Sequence, residues 1–374
     1  MSALNNKIVI IGGKLQGIEA CYLGMKAGIE TILVDKNPES PARHLCSRFV
    51  CEDLFERSNR LLVDMKEADI VLPALENDAV LRWLDKDAKE QGYTLAFDWP
   101  AYQMSSSKIK SDQLFRKCEI PVPEYFPGGT YPYICKPDCD SGSHGVERLD
   151  TPAQLQAALE KKSDLVIQEF MEGPSYSIEV IGKPGMYRAY LVTQIHMDKR
   201  YDCKMVTAPC NLTATQEETL RKMAFCIAEE IKLHGIMDLE VIEHNGTFKA
   251  LEIDARIPSQ TPTAVLHSSG MNLLEELRDL FATGFFLKNQ ERQGHYVAYE
   301  HYLFHQNIPH PLGERVMTQG KPLHYKPGFC GADEVLTDHQ PGQDPWRGTF
   351  VNAAPTKAAL MSKRAKMLGN FAKR

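Results

Sequence analysis

The sequence predicts an α/β and α+β protein of two or three domains that opens with a parallel-sheet layer. Three observations carry that prediction. The chain has 374 residues, more than one compact core ordinarily spans. Residues 7 to 100 alternate short apolar runs with helix-like segments, the pattern of βαβ units. Further on, strand-like stretches come in pairs around turn signals, as antiparallel strands do.

Composition narrows the class. Hydrophobic residues make up 43% and charged residues 25%, and the formal net charge is −6. That balance provides no broad basic surface, so no nucleic-acid partner is expected, and a small anionic ligand would need local positive charge. No apolar run reaches membrane-spanning length, and "MSALNNK" leads straight into "IVIIGG" without the features of a signal peptide. The expectation is a cytoplasmic protein with no membrane partner. The ten cysteines form no Cys-x-x-Cys pair. Cys135 with Cys139, and Cys46 with Cys51, read as reduced thiols, because the paired spacing of a zinc site is missing.

The runs "KIVIIGG", "GIEACYLGMKAG", "ETILVD", "ADIVLPAL" and "DAVLRWLDKDAKEQG" read as a Rossmann-like layer over residues 1–103. Gly12, Gly13 and Gly17 invite a dinucleotide, but Lys14 stands where G-x-G-x-x-G needs its second glycine and would crowd a pyrophosphate. Asp35, ending the second strand, could still imitate the ribose-binding acid. A nicotinamide-dependent oxidoreductase therefore stays open as an alternative.

A second texture begins at "SSSKIKSDQLFRKCEIPVP", a helix capped from within Ser105 to Ser107 and ended by Pro121 and Pro123. Lys136 closes an apolar strand before "PDCDSGSHG". Ser141, Gly142 and Ser143 could offer N–H and hydroxyl groups to phosphate oxygens, although the loop reads equally well as an ordinary turn. His144 reads as a solvent-facing loop histidine rather than a general base. In "LVIQEFMEGPSYSIEV" two strands flank a bend at Gly173-Pro174, with Phe170 and Met171 placed to pack on a base or simply in a core. Ser175, Ser177 and Glu179 share one face of the second strand. The basic end, "KRAKMLGNFAKR", reads as a solvated helix face.

The most informative segment is "IMDLEVIEHNGTFKALEIDARIP", two strands around Asn245-Gly246. A three-residue loop would place Glu240 opposite Glu252 and Glu243 opposite Lys249. It would gather Leu239, Val241, Leu251 and Ile253 on the other face, a clean separation, whereas a two-residue loop would mix acids with aliphatics. The expectation is therefore the odd-length loop and an acid cluster of Asp238, Glu240, Glu252 and Asp254, with Arg256 in line. Two carboxylates 4 Å apart repel by about 4 kcal/mol at an effective dielectric of 20, so such a cluster needs protons, an arginine or a divalent cation. All-oxygen ligands favour Mg²⁺ or Mn²⁺ over zinc.

Lys108, Lys136, the Ser/Gly loop, the bend, and the acids with Arg256 occur in the order found in ATP-grasp enzymes, which the chain resembles from its first strand to about residue 285. The resemblance implies an ATP-grasp fold: a small subdomain, or lid, over 104–172 and a large domain with a C-terminal extension over 173–374, behind the Rossmann-like domain. It implies that Lys108, Lys136, Ser141, Gly142 and Ser143 hold ATP phosphates. Gln168, Glu169, Phe170 and Met171 would form the adenine hinge, with Ser175 near the ribose. Glu240, Glu252 and Asp254 become ligands of two Mg²⁺ ions, with Mn²⁺ as substitute, and Arg256 and Lys136 the catalytic cations. The family more often has Asn at the position of Asp254 and a glutamate at that of Ser175.

Over its full length the chain most resembles the branch of this family that serves pyrrolysine biosynthesis in methanogenic archaea. That resemblance implies that 3-methylornithine is activated as an acyl phosphate and joined to the ε-amine of lysine. It also implies a homodimer. Gly12, Gly13, Lys14, Leu15, Gln16, Glu76, Asn77, Ser177, Glu179, Asp238 and Arg256 are the substrate-binding candidates, Glu179 first for an ammonium group. Turn and capping roles compete for each. Other readings are a D-alanine–D-alanine-like or amidating ATP-grasp ligase, and a non-catalytic nucleotide-binding module.

Overall fold

The computed structural model describes residues 4–139, 145–161, 165–289 and 294–371. Ser141, Gly142, Ser143 and His144 lie outside the described residues. Strands β1 (Lys7–Ile11), β2 (Glu30–Val34), β3 (Arg48–Val50) and β4 (Ile70–Pro73) form a parallel sheet in the order β3-β2-β1-β4. Alternation along β1 sends Ile8 and Ile10 into one core and Val9 and Ile11 into another, so both faces are covered, as a parallel sheet requires. Helix α1 (Leu15–Ala27) fills the first side, and α2 (Asn59–Glu67) with α3 (Asp78–Gln91) the second.

The glycines of the first βα turn have a local cause. A Cβ at Gly17 would stand 2.1 Å from the carbonyl oxygen of Gly12, so the start of α1 can pack this closely only as glycine. The Asp35 carboxylate accepts from the N–H groups of Gly13 (2.8 Å) and Asn37 (2.9 Å), locking the turn. Asp35 is thereby committed to the protein's own backbone instead of a ribose.

A short helix, α4 (Trp99–Ser105), precedes the capped helix expected after this layer, which is α5 (Lys108–Lys117), with Ser107 as its cap accepting from Lys110 N–H. Strands β5 (Tyr133–Pro137), β6 (Glu147–Leu149) and β7 (Leu165–Glu169) make a small antiparallel sheet, order β6-β5-β7. Tyr133 and Cys135 share a small core with Leu155 and Ala158 of α6 (Pro152–Lys161). The strand period of two therefore turns Ile134 and Lys136 to the opposite face.

The third sheet is antiparallel and has 11 strands. They are β8 (Ser175–Lys183), β9 (Met186–Ala189), β10 (Thr193–Met197), β11 (Cys203–Ala208), β12 (Gly235–His244), β13 (Thr247–Asp254), β14 (Tyr296–His305), β15 (Ile308–Pro311), β16 (His324–Pro327), β17 (Glu334–Thr337) and β18 (Trp346–Ala354). The order is β13-β12-β8-β10-β11-β14-β18-β17-β16, with β9 on β8 and β15 on β14. Four helices accompany it: α7 (Ala214–Glu230), α8 (Thr261–Ser269), α9 (Leu273–Thr283) and α10 (Lys357–Phe371). Ile178, Leu239 and Ile253 stack across β8, β12 and β13 against Leu220, Ala224 and Ile227 of α7. The basic end is docked instead of fully solvated: Met367 and Phe371 are buried, and Arg364 pairs with buried Glu300 at 2.6 Å.

The hairpin corrects the expected loop. His244 pairs with Thr247, so Asn245-Gly246 is a two-residue turn, with φ of 52° and 77° as a type I′ turn requires. Val241 then faces Ala250, Ile242 faces Lys249 and Glu243 faces Phe248. A bulge at Leu251 inserts one residue, and beyond it Glu240 faces Glu252 and Asp238 faces Asp254. The acid pairing is the expected one, but a bulge creates it, and Leu251 leaves the apolar face.

Candidate active site

An apolar cavity of about 380 Å³ lies between the open face of the small sheet and the edge of the large one. Lys108 at the start of α5 and Lys136 on β5 enter it from the small sheet's side, and Glu240, Ile242, Leu251 and Glu252 from the hairpin. Gln168, Glu169, Phe170, Met171 and Ser175 form another wall. Lys108 Nζ stands 3.4 Å from Glu252 Oε1. Loss of hydration holds the Lys136 ammonium below its ordinary range, with Glu252 pulling the other way.

The connection from β7 to β8 is fixed by the protein's own backbone. Glu169 N–H donates to Glu124 O (2.8 Å), Phe170 N–H to Pro132 O (2.9 Å) and Glu243 N–H to Pro174 O (2.9 Å). A Cβ at Gly173 would sit 1.8 Å from Glu243 O, so the bend needs glycine. Gln168 Nε2 donates to Asp112 Oδ1 at 3.3 Å. The Arg148 guanidinium lies 4.5 Å from the centre of the Phe170 ring.

Past Glu240 and Glu252 a polar recess of about 100 Å³ continues, walled by Asp202, Asp238, Asp254, Arg256, Ser259, Gln260, Thr261 and Glu314. Two rows of directly paired residues floor this face: Ser177, Glu240 and Glu252 in one, Glu179, Asp238 and Asp254 in the other. Arg256 Nη2 reaches Glu76 Oε1 (2.5 Å) and Asp254 Oδ2 (2.8 Å). Gln16 Nε2 donates to the same Glu76 oxygen at 2.9 Å. Glu76 thus joins the recess to a third cavity, about 500 Å³, at the carboxyl ends of β1, β2 and β4, where open α/β sheets ordinarily bind ligands. Gly12, Gly13, Lys14, Leu15, Gln16, Glu76 and Asn77 line it. Asn77 also caps α3, accepting from Val80 N–H.

The acids are strongly perturbed. Burial pushes Asp238 up to about 7, with Arg256 opposing and Glu179 and Glu252 adding to it. Burial, then the charges of Asp238, Glu252 and Asp254, hold Glu240 well above the carboxylate range. Asp254 is raised by burial too, against the pull of Arg256. Among the described residues no three His, Cys, Asp or Glu side chains close a preformed metal cage. Glu252 turns to Lys108 and Asp254 to Arg256 instead. The donor set is all oxygen and short of positive charge, which fits Mg²⁺, an ion that ordinarily keeps waters and shares phosphate oxygens.

Two expected substrate contacts sit deeper than foreseen. Ser177 and Glu179 are 1% and 0% exposed and lie beneath the recess instead of on its wall, because β10 and β12 flank this stretch of β8 and Thr261, at the start of α8, meets the Glu179 carboxyl. Ser177 Oγ donates to Glu179 Oε1 at 3.4 Å. Glu314, Gln260 and Asp202 line the recess and have no signal in the sequence. Glu314 lies in a 3₁₀ turn without periodicity, brought near Arg256 only by the tertiary fold.

Residues 105–260 match the ATP-grasp domain family. A 3-methyl-D-ornithine–L-lysine ligase of Methanosarcina acetivorans is 38% identical over 340 residues, covering 88% of this chain and 91% of that protein. Two solved structures share the fold. The biotin carboxylase domain of Hydrogenobacter thermophilus 2-oxoglutarate carboxylase, in complex with MgADP, ADP and bicarbonate, superposes with a TM-score of 0.74 at 16% identity, covering 98% of this chain and 90% of that one. An L-amino acid ligase from Bacillus licheniformis does so with 0.72 at 16% identity, covering 99% and 98%.

Proposed function

The chain belongs to the family of 3-methyl-D-ornithine–L-lysine ligases, which have the ATP-grasp fold, and from that premise we propose the reaction it carries out. ATP phosphorylates the carboxylate of (2R,3R)-3-methylornithine, and the ε-amine of L-lysine displaces the phosphate. The products are 3-methylornithyl-Nε-lysine, ADP and phosphate, and the amide feeds pyrrolysine biosynthesis. A carboxylate is a poor electrophile toward an amine until an oxygen becomes a good leaving group, which accounts for the acyl phosphate.

The family implies ATP and Mg²⁺. In this reading Lys108 and Lys136 hold the phosphates, and the wall of Gln168, Glu169, Phe170 and Met171 seats the base, with Ser175 toward the ribose. Glu240, Glu252 and Asp254 hold two Mg²⁺ ions, for which Mn²⁺ can substitute. Bound there, the metal neutralises charge on the phosphoryl oxygens. Arg256 orients the carboxylate and stabilises charge on the group in transfer. Residues 1–103 supply the substrate crevice, 104–172 the cover and 173–374 the acid face.

The observation that carries the reading is the pair of acid rows, aligned with Arg256 and open to a cavity that holds two lysines. Mass spectrometry of purified protein with ATP, Mg²⁺, lysine and D-ornithine, standing in for its 3-methyl derivative, tests it. Ornithyl-lysine amide formed together with ADP is expected. ADP without amide would overturn the substrate assignment, and neither product from folded protein would overturn the ligase itself.

A further inference from the structure

Away from the acid face, the fold brings together two cysteines that the sequence keeps far apart. Cys118 is the residue on which α5 ends, its N–H bonded to Leu114 O at 3.0 Å, and Cys226 stands on α7. Two contacts fix the spacing of these elements. Leu114 and Phe115 of α5 share a buried core with Leu220, Met223 and Ala224 of α7, and Cys118 packs against it. Lys117 Nζ meets Glu230 Oε1 at 2.5 Å, an ion pair one residue before Cys118 and one helical turn after Cys226. The two thiols lie within hydrogen-bonding range of each other. A cavity of about 600 Å³ gives access to them, lined by both cysteines with Glu119, Pro121, Lys222 and Phe248.

Their surroundings suit a two-step exchange. Cys226 is exposed, whereas Cys118 is half-buried, its thiol pushed up to about 12 by burial and then by its contact with Cys226. The thiol that meets a reagent first must be reachable, and the one that resolves the adduct need only be near. Cys21 and Cys46 also interact, but Cys21 is wholly buried and Cys46 is not exposed either. The place of the pair gives a link there a consequence. The segment from 118 to 226 carries the whole small sheet, β5 to β7, with α6. It leaves α5 at Cys118, turns at Glu119 with φ 55°, and reaches Pro121, whose carbonyl accepts from Ala250 N–H at 2.8 Å. A covalent bond from Cys118 to Cys226 therefore fastens the root of the small sheet, and the helix that carries Lys108, to α7 of the large domain.

We propose that Cys118 and Cys226 are a modification site, a dithiol that a small-molecule disulfide converts into a reversible protein disulfide. The Cys226 thiolate attacks one sulfur of the reagent and expels the other as a thiolate, which leaves a mixed disulfide on Cys226. Cys118 gives up its proton and attacks Cys226 Sγ, forming the Sγ–Sγ bond and breaking the mixed disulfide. The two protons released by the cysteines end on the two small thiols, so the protein is oxidised by two electrons and the reagent reduced by two.

Oxidised glutathione is the probe, and the intact enzyme is digested without reductant after treatment and read by mass spectrometry. The expected product is a peptide pair joined through Cys118 and Cys226, while Cys51, exposed and bonded to the Lys36 carbonyl, keeps a glutathione adduct. The link closes a long loop of the unfolded chain, so treated wild type should melt several degrees above identically treated Cys226→Ser, and dithiothreitol should abolish the difference. Cys226→Ser changes an exposed position and should form no such pair, and Cys118→Ala should retain glutathione on Cys226. Wild-type Cys226 left unmodified or stably capped by glutathione, or a cross-link that raises the melting temperature no further than in Cys226→Ser, would overturn the proposal. None of these readouts depends on turnover, so they stand apart from the test of the ligase.

Discussion

Arg256 meets Glu76 and Asp254 through one nitrogen, Nη2, at 2.5 and 2.8 Å. Glu76 follows β4 of the parallel sheet and Asp254 ends β13 of the large sheet, so a single guanidinium ties the two layers together at the acid face.

Arg256→Lys keeps the charge but loses the rigid, planar guanidinium whose Nη2 meets both acids. The expected result is a fall in kcat of about 10² to 10³, the usual cost of removing a fixed donor where charge develops. KM for ATP should change little, because the lysines and the apolar cavity stand apart from this contact. Steady-state kinetics with ATP and D-ornithine varied in turn reads both constants, and a loss carried by KM for ATP would contradict the role.

Glu240 differs from its neighbours in having only carboxylates as its main charged influences. A buried acid of this kind costs stability that a bound cation offsets. Glu240→Gln should therefore abolish turnover and yet raise the melting temperature of the metal-free protein at pH 8 by a few degrees. Thermal melts without Mg²⁺ decide it, and a destabilised variant would show that Glu240 supports the fold.

The hairpin shows what was legible in the sequence and what was not. Alternation put Asp238, Glu240, Glu252 and Asp254 on one face, and the structure keeps them there. The route was wrong, because a bulge leaves no mark in a pattern of apolar and polar residues, whereas Asn-Gly marks a two-residue turn plainly. Burial was hidden as well: Ser177 and Glu179 alternate correctly along β8, but the neighbours that cover them come from elsewhere in the chain. Glu314 could not be foreseen at all, since only tertiary packing carries it to Arg256. Local periodicity reports which face a side chain takes, and it does not report what will be laid over that face.

Leu251 gives the bulge a purpose that can be measured. It lines the apolar cavity because the bulge turns it there. Deleting Leu251 lets the two-residue turn close a regular hairpin with Glu240 still opposite Glu252, so the fold and the acid rows should survive. Burying a leucine side chain is worth about 1.5–3 kcal/mol, so ATP binding should weaken roughly ten- to a hundredfold, with lysine binding unchanged. Calorimetric titration with a non-hydrolysable ATP analogue reads this directly, and unchanged affinity would remove Leu251 from the nucleotide site.

Glu19 makes the clearest pH prediction. It is 2% exposed and accepts from both Thr263 N–H (2.6 Å) and Thr263 Oγ1 (2.7 Å), joining α1 to α8. Burial pushes its carboxyl up to about 7 despite those bonds. A folded-state value above the unfolded one means that the native state holds the proton more tightly. The stability this contributes is complete below about 4.5 and is lost as pH rises through about 7. Glutamine keeps the carbonyl acceptor and cannot titrate, so Glu19→Gln isolates the effect. Between pH 5 and pH 8 the nucleotide-free wild type should lose about 2.5 kcal/mol relative to this variant, since that window spans roughly 1.8 of the 2.5 units at about 1.36 kcal/mol each. Urea denaturation across that range measures the gap, and a gap independent of pH would mean that Glu19 is already ionised in the fold, held by its two bonds to Thr263.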